Sequence, residues 1–158
     1  MTPVSHNLVS HPSETQQPLY NRDFYAWTQE MVNALRSGNW AELDIENLVE
    51  ELESLGRRER QELGNWLAVL LGHLLKWQYQ PANRSNSWRA TLREQRRRIG
   101  KLLKENPSLQ PYVLEAMAEA YEIGRDLAIQ ETNLPDATFP EIGPYELTQV
   151  IDLDFLPE

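Results

Sequence analysis

No cysteine occurs in this chain, which excludes disulfides, thiolate metal sites and cysteine nucleophiles and is compatible with a reducing compartment. Histidine is scarce: His6 and His11 fall in the first dozen residues, so His73 alone lies within the stretch expected to fold. Motifs that announce a chemistry by themselves are missing too. There is no glycine-rich phosphate loop, no HExxH, no GxSxG and no cluster with zinc spacing. The apolar/polar alternation of strands is absent as well. Residues 1–19 contain no Lys or Arg and no apolar stretch of signal-peptide length, and read as a flexible polar arm. The longest apolar run, Trp66 to Leu75, is interrupted by Gly72 and His73 and reaches about half of the roughly 20 residues a bilayer span needs. A soluble cytoplasmic protein with no membrane partner is the expectation.

What remains is a chain suited to helices. With 41% hydrophobic and 25% charged residues, five Trp and six Tyr in 158 residues, it has the composition of a single folded domain, expected over 20–158. From Asn21 onward apolar residues recur every three or four positions. A first helix is predicted from about Asp23 to Ser37, capped by Asn21 or Asp23 and stopped by Gly38. A second follows Asp44, with Ile45, Leu48, Val49, Leu52 and Leu55 on one side, and Gly56 is expected to end or kink it. The third, Arg57 to about Gln80, is apolar nearly all round from Trp66 to Leu75 and marks the centre of the core. A fourth runs from near Trp88 to before Pro107, capped by Ser85 or Ser87, and buries Trp88, Leu92, Ile99, Leu102 and Leu103. The fifth is expected from Ser108 to about Glu131, with Gly124 and several alanines permitting close helix approach. The tail, with Pro135, Pro140, Pro144 and Pro157, is expected to wrap the bundle, and 145–151 adds a short helix. The fold class is therefore all-α, a compact bundle of four to five main helices.

Positive charge is concentrated. Eight of the 15 basic residues lie between Arg84 and Lys104 against one acid, Glu94, a local +7 in a protein of net −9. Arg93, Arg97, Lys101 and Lys104 fall on the solvent side of the fourth helix and could face an anion. Arg89, Arg96 and Arg98 sit on its flanks, where they are expected to pair with carboxylates of neighbouring helices. The overall negative charge disfavours a general polyanion binder.

The phrases DFYAW, ELDIENLVEELESLG, LLGHLLKWQYQP, RSNSWRATLREQRRRI, NPSLQPYVLEAMAEAY, ETNLP and FPEIGPYELTQVIDLDFLP, taken in order, resemble domain-of-unknown-function family 29, small bacterial proteins frequent in cyanobacteria. The resemblance covers residues 20–157 and implies an all-helical fold without supplying an activity. Many relatives carry Cys where this chain has Gly143, a departure that leaves no thiol at that position.

Candidate sites follow from residue types. Glu51, Glu53, His73, Arg84 and Arg96 are weak catalytic candidates: carboxylates to hold a metal, an imidazole to move protons, arginines to neutralise phosphate. Against this, acids such as Glu46, Glu50, Glu115, Glu119, Glu122 and Asp126 mostly project from apolar faces, as solvated surfaces do, and a half-buried histidine usually has a structural partner. No residue set is assigned to a metal and no cofactor is required. The reading that results is a non-enzymatic protein-interaction module, meeting a protein partner or a second copy. Its alternatives are a metal-assisted phosphoester hydrolase and a nucleic-acid binder acting through the basic helix 88–104.

Overall fold

A computed structural model describes residues 17–158, and every regular element among them is helical. The six α-helices are α1 (Leu19–Arg22), α2 (Phe24–Ser37), α3 (Ile45–Tyr79), α4 (Asn86–Glu105), α5 (Val113–Thr132) and α6 (Leu147–Ile151). Short 3₁₀ turns punctuate them. Residues 1–16 of the arm lie outside the described residues. The chain separates into two compact units, one ending at Ser54 and the other running from Leu55 to Glu158. None of the described helices is long and apolar enough to cross a membrane.

The first unit is organised by caps and aromatics. Asp23 caps α2 by accepting from the Ala26 amide at 2.9 Å, and Gly38, with φ 70°, ends it in the left-handed conformation that glycine adopts without a steric penalty. Asp44 then starts α3. It accepts from the Asn47 amide at 3.3 Å and the Asn47 side chain at 2.7 Å. It also accepts the Trp27 indole N–H at 3.2 Å, tying α2 to the start of α3. These bonds, led by that of the Asn47 side chain, hold the Asp44 carboxyl below the usual carboxylate range. Tyr20, Phe24 and Trp27 cluster with ring centroids 4.9–5.7 Å apart.

Gly56 does not end the helix: α3 is continuous for 35 residues. One glycine in a helix interior costs about 1 kcal/mol relative to alanine, and the flanking run of Glu, Leu and Arg favours helix strongly enough to outweigh it. The helix also begins at Ile45, as the Asp44 cap predicts.

In the second unit the predicted core centre is enclosed at its leucines, while Trp66, Val69 and His73 within it are half-buried. Leu63, Leu67, Leu70, Leu74 and Leu75 have no exposed surface. Ser85 caps α4 by accepting from the Trp88 amide, and Leu92, Ile99, Leu102 and Leu103 are buried on it. The fifth helix starts later than expected, at Val113, because Pro107–Tyr112 forms a 3₁₀ turn containing Pro111, which has no amide to donate. The tail lies in the same core through Phe139, Tyr145 and Val150, and Glu146 and Gln149 form a reciprocal capping box for α6.

The tightest packing is between α3 and α5. A Cβ added to Gly124 would lie 2.7 Å from the Ala68 carbonyl oxygen, and one added to Gly72 would lie 2.9 Å from the Gly124 carbonyl oxygen. Backbone meets backbone here, so neither position tolerates even a methyl group without separating the helices. Gly124→Ala should therefore destabilise the protein by about 1–3 kcal/mol despite alanine's better helix propensity. Gly100→Ala, where nothing lies within 4 Å, should stabilise it by about 0.5–1 kcal/mol. Urea denaturation of both variants checks the opposite signs.

Candidate functional site

Of the residues expected to form a carboxylate, histidine and arginine cluster, Glu51, His73, Arg84 and Arg96 each hold a hydrogen-bond partner outside that set. Glu51 and Glu53 belong to the first unit, where Glu51 accepts the Tyr20 hydroxyl at 2.6 Å. That bond, with desolvation and the charges of Glu51, Glu50 and Asp44, pushes the Tyr20 phenol up to about 12. Arg84, in the second unit, donates Nε–H to the Trp77 carbonyl at 2.8 Å, with its guanidinium 5.2 Å from the Trp77 ring centroid. It closes the carboxyl end of α3, where a cation also suits the helix dipole. Among the described residues no three His, Asp or Glu side chains converge to hold a metal ion.

Arg96 is the largest departure from expectation. It is buried on α4 at 4% exposure, yet its partners are carbonyls rather than the carboxylates predicted for it. Nε donates to Val150 O at 2.8 Å, Nη2 to Gln149 O at 3.4 Å and Nη1 to Leu153 O at 3.5 Å. The last carbonyls of α6 have no partner within their own helix, and a planar fork of donors satisfies several at once. Desolvation lowers the Arg96 pKa while Asp152 and Asp154 act against it, and a guanidinium remains charged throughout the accessible range.

The other flanking arginines also differ from expectation. Arg98 pairs with Glu94 of its own helix, Nη2 to Oε1 being 2.6 Å, and meets α3 through a ring rather than a carboxylate, its guanidinium 5.8 Å from the Trp66 ring centroid. Arg89 stands 6.0 Å from the Trp77 ring centroid. On the solvent side, Lys101 lies 3.8 Å from Glu105, one turn along. Arg93, Arg97 and Lys104 are exposed and make no ion pair among the described residues.

His73 sits half-buried on α3 with Nδ1 2.9 Å from the Val69 carbonyl, one turn back. That contact requires the proton on Nδ1 and leaves Nε2 as the basic nitrogen of the neutral ring. Nearby is a group that the sequence reading passed over. Lys76, buried at 5% exposure, ion-pairs with Glu131 of α5 and lies 4.5 Å from the Trp88 ring centroid. The signal was present: a lysine inside a helical stretch apolar on all sides is almost never buried without a partner. Together Arg96 and Lys76 account for two cations of the second unit as packing elements.

The family model described as Domain of unknown function DUF29 matches residues 19–156, so the chain belongs to that family. No curated protein and no solved structure matches it.

Two outcomes test these roles. Arg96→Met strips the α6 carbonyls of their donors and should cost on the order of 2 kcal/mol, with Arg96→Lys recovering only part because an ammonium cannot span the same carbonyls. Hydrogen exchange should accelerate in residues 147–153 while α2 amides stay unchanged. For His73, burial holds the imidazole below its ordinary pKa of 6.5, with Lys76 lowering it further and the Val69 bond and Glu131 opposing. The unfolded chain thus binds the proton more readily. This contribution to stability is complete above about 6.5 and is lost as pH falls through the depressed value. Thermal midpoints measured from about pH 7 to about pH 5 should fall more steeply for the wild type than for His73→Gln.

Proposed function

We propose that this protein is a non-enzymatic interaction module whose first unit receives a basic amphipathic helix of a partner protein. The observation that carries the reading is an imbalance within residues 17–54. There, Trp27, Met31 and Ala34 are buried, while Phe24, Tyr25, Val32, Leu35, Trp40, Ile45, Val49 and Leu52 are large apolar residues left exposed. Eight of the fourteen such residues of the described chain fall in this short unit. Trp40 retains 70% of its surface, and exposed apolar surface gathered in this way characterises an interaction site.

The chemistry of the occupant follows from charge and periodicity. Ile45, Val49 and Leu52 stand at i, i+4 and i+7 on α3, one helical row. Glu46 and Glu50 border it on one side, and residues 17–54 carry two bases against eight acids, a net −6. A second copy laid on the same face would set −6 against −6, which like-charge repulsion opposes. A helix with an apolar row flanked by Lys and Arg meets both requirements, in the helix-against-helix mode by which amphipathic segments are recognised.

The test is fluorescence polarisation with two labelled designed helices of identical apolar pattern, one Leu/Lys and the other Leu/Glu. The Leu/Lys helix should bind with an affinity that falls as salt is added, and the Leu/Glu helix should not. The double variant Val49→Lys, Leu52→Lys alters exposed positions only and should weaken binding by at least about tenfold, the equivalent of one buried apolar side chain. Failure of the Leu/Lys helix to bind, binding unchanged in the double variant, or sedimentation showing the face covered by a second copy overturns the reading.

A further inference from the structure

The second unit contains a cavity of about 280 Å³ between α5 and the segment that precedes α6. Leu71 and Met117 supply apolar walls, and Tyr121 and Tyr145 contribute aromatic ones. Both phenol hydroxyls are already used. Tyr121 donates to the Pro140 carbonyl at 2.7 Å, and Tyr145 donates to Gln78 Oε1 at 2.7 Å. What the two residues offer a ligand is therefore ring surface rather than a hydroxyl proton.

Charge in the cavity has one sign. Glu122 and Glu141 line it and are exposed, and no lysine or arginine lines it among the described residues. Arg125, one turn beyond Tyr121, has its guanidinium drawn onto backbone, with Nη2 2.8 Å from the Asp136 carbonyl and Nε 3.3 Å from the Phe139 carbonyl. Its charge is held on the chain that leads into the cavity's rim. Gly143 completes the wall. A Cβ there would stand 3.1 Å from Tyr121 Cδ2 and 3.3 Å from Cγ, so the bare backbone of residue 143 lies directly against the ring.

The geometry points to a binding site for a compact organic ammonium ion, its apolar body against Leu71, Met117 and the tyrosine rings and its cationic head between Glu122 and Glu141. Three independent features converge on that class. An apolar cavity near 300 Å³ is the size that small ligands fill. Aromatic rings attract an ammonium through their quadrupole, most strongly when the ion is partly desolvated. Two carboxylates in a lining that holds no cation, with the nearby Arg125 guanidinium spent on backbone carbonyls, favour positive charge over a carboxylate or phosphate of the same shape. An anion or a neutral alcohol of equal size gains the apolar contacts alone. The site lies in the second unit and is separate from the first-unit surface proposed for a protein partner.

The test is a ¹H–¹⁵N titration of the full chain with three probes of matched skeleton: 2-phenylethylamine, protonated at neutral pH, 2-phenylethanol and phenylacetate. The amine should give saturable shifts in the amides of Met117, Tyr121, Ile142 and Gly143, with a Kd at least about tenfold below that of the alcohol. Phenylacetate should give none. In the double variant Glu122→Gln, Glu141→Gln, both positions being exposed, the amine should lose that advantage while the alcohol binds as before. Shifts of equal affinity for amine and alcohol, saturable binding of phenylacetate, an unchanged amine Kd in the double variant, or no shift with the amine each overturn the inference.

Discussion

Where Gly72 of α3 meets Gly124 of α5, two helix backbones touch with no side chain between them, and this contact fixes the spacing of the second unit. Leu71 and Leu74, on either side of Gly72, are buried in the core beside that contact. Ala116, Ala120 and Ala128 add small buried side chains along α5. Core interiors are packed to crystal-like density, so spacing set at one point is transmitted to its neighbours. Tyr121 is among them: its place on α5 decides where its hydroxyl meets Pro140 and where its ring meets Gly143. The aromatic wall of the cavity is thus a consequence of two missing methyl groups elsewhere on the same pair of helices.

Charge tells a different story in each unit. Residues 17–54 hold eight acids and two bases, while residues 55–158 hold fifteen acids and thirteen bases, nearly in balance. The basic stretch from Arg84 to Lys104 is therefore largely answered within its own unit, though seldom by ion pairs. Arg84 and Arg96 serve carbonyl oxygens, Arg89 stands by an indole, and Arg98 takes the carboxylate of its own helix. Arg93, Arg97 and Lys104 are what an outside anion would find. The first unit has no such compensation, and its acidity coincides with its exposed apolar residues.

Helix faces were legible in the sequence because their period is a local property of the chain. The enclosure of Leu67, Leu70, Leu74 and Leu75, the Asp23 and Ser85 caps, the Gly38 stop and the close approach at Gly124 all follow from spacing within a few residues. What sequence spacing did not convey was the identity of partners distant along the chain. Arg96 was expected to meet carboxylates because charge is visible in a sequence, whereas an unsatisfied helix end is visible only once the helix has a place. Gly56 illustrates the opposite error, since a residue that breaks helices in isolation is overruled when both flanks favour helix. Lys76 carries its information in a solitary charge beside an apolar stretch, but its partner Glu131 lies 55 positions away and is set by the packing of α3 and α5.

The bonds from Arg96 to α6 span more than fifty positions of chain, 54 in the case of Val150, and α6 itself has only five residues. A helix that short has no stability of its own. During synthesis, α4 leaves the ribosome well before the carbonyls that its guanidinium serves. Until those last residues emerge, Arg96 has water as its partner, on a helix face whose leucines already favour burial. Docking of α6 onto α4 is accordingly a late, non-local event in folding, and the charge that opposes premature closure of that face becomes its fastening once residues 149–153 reach it.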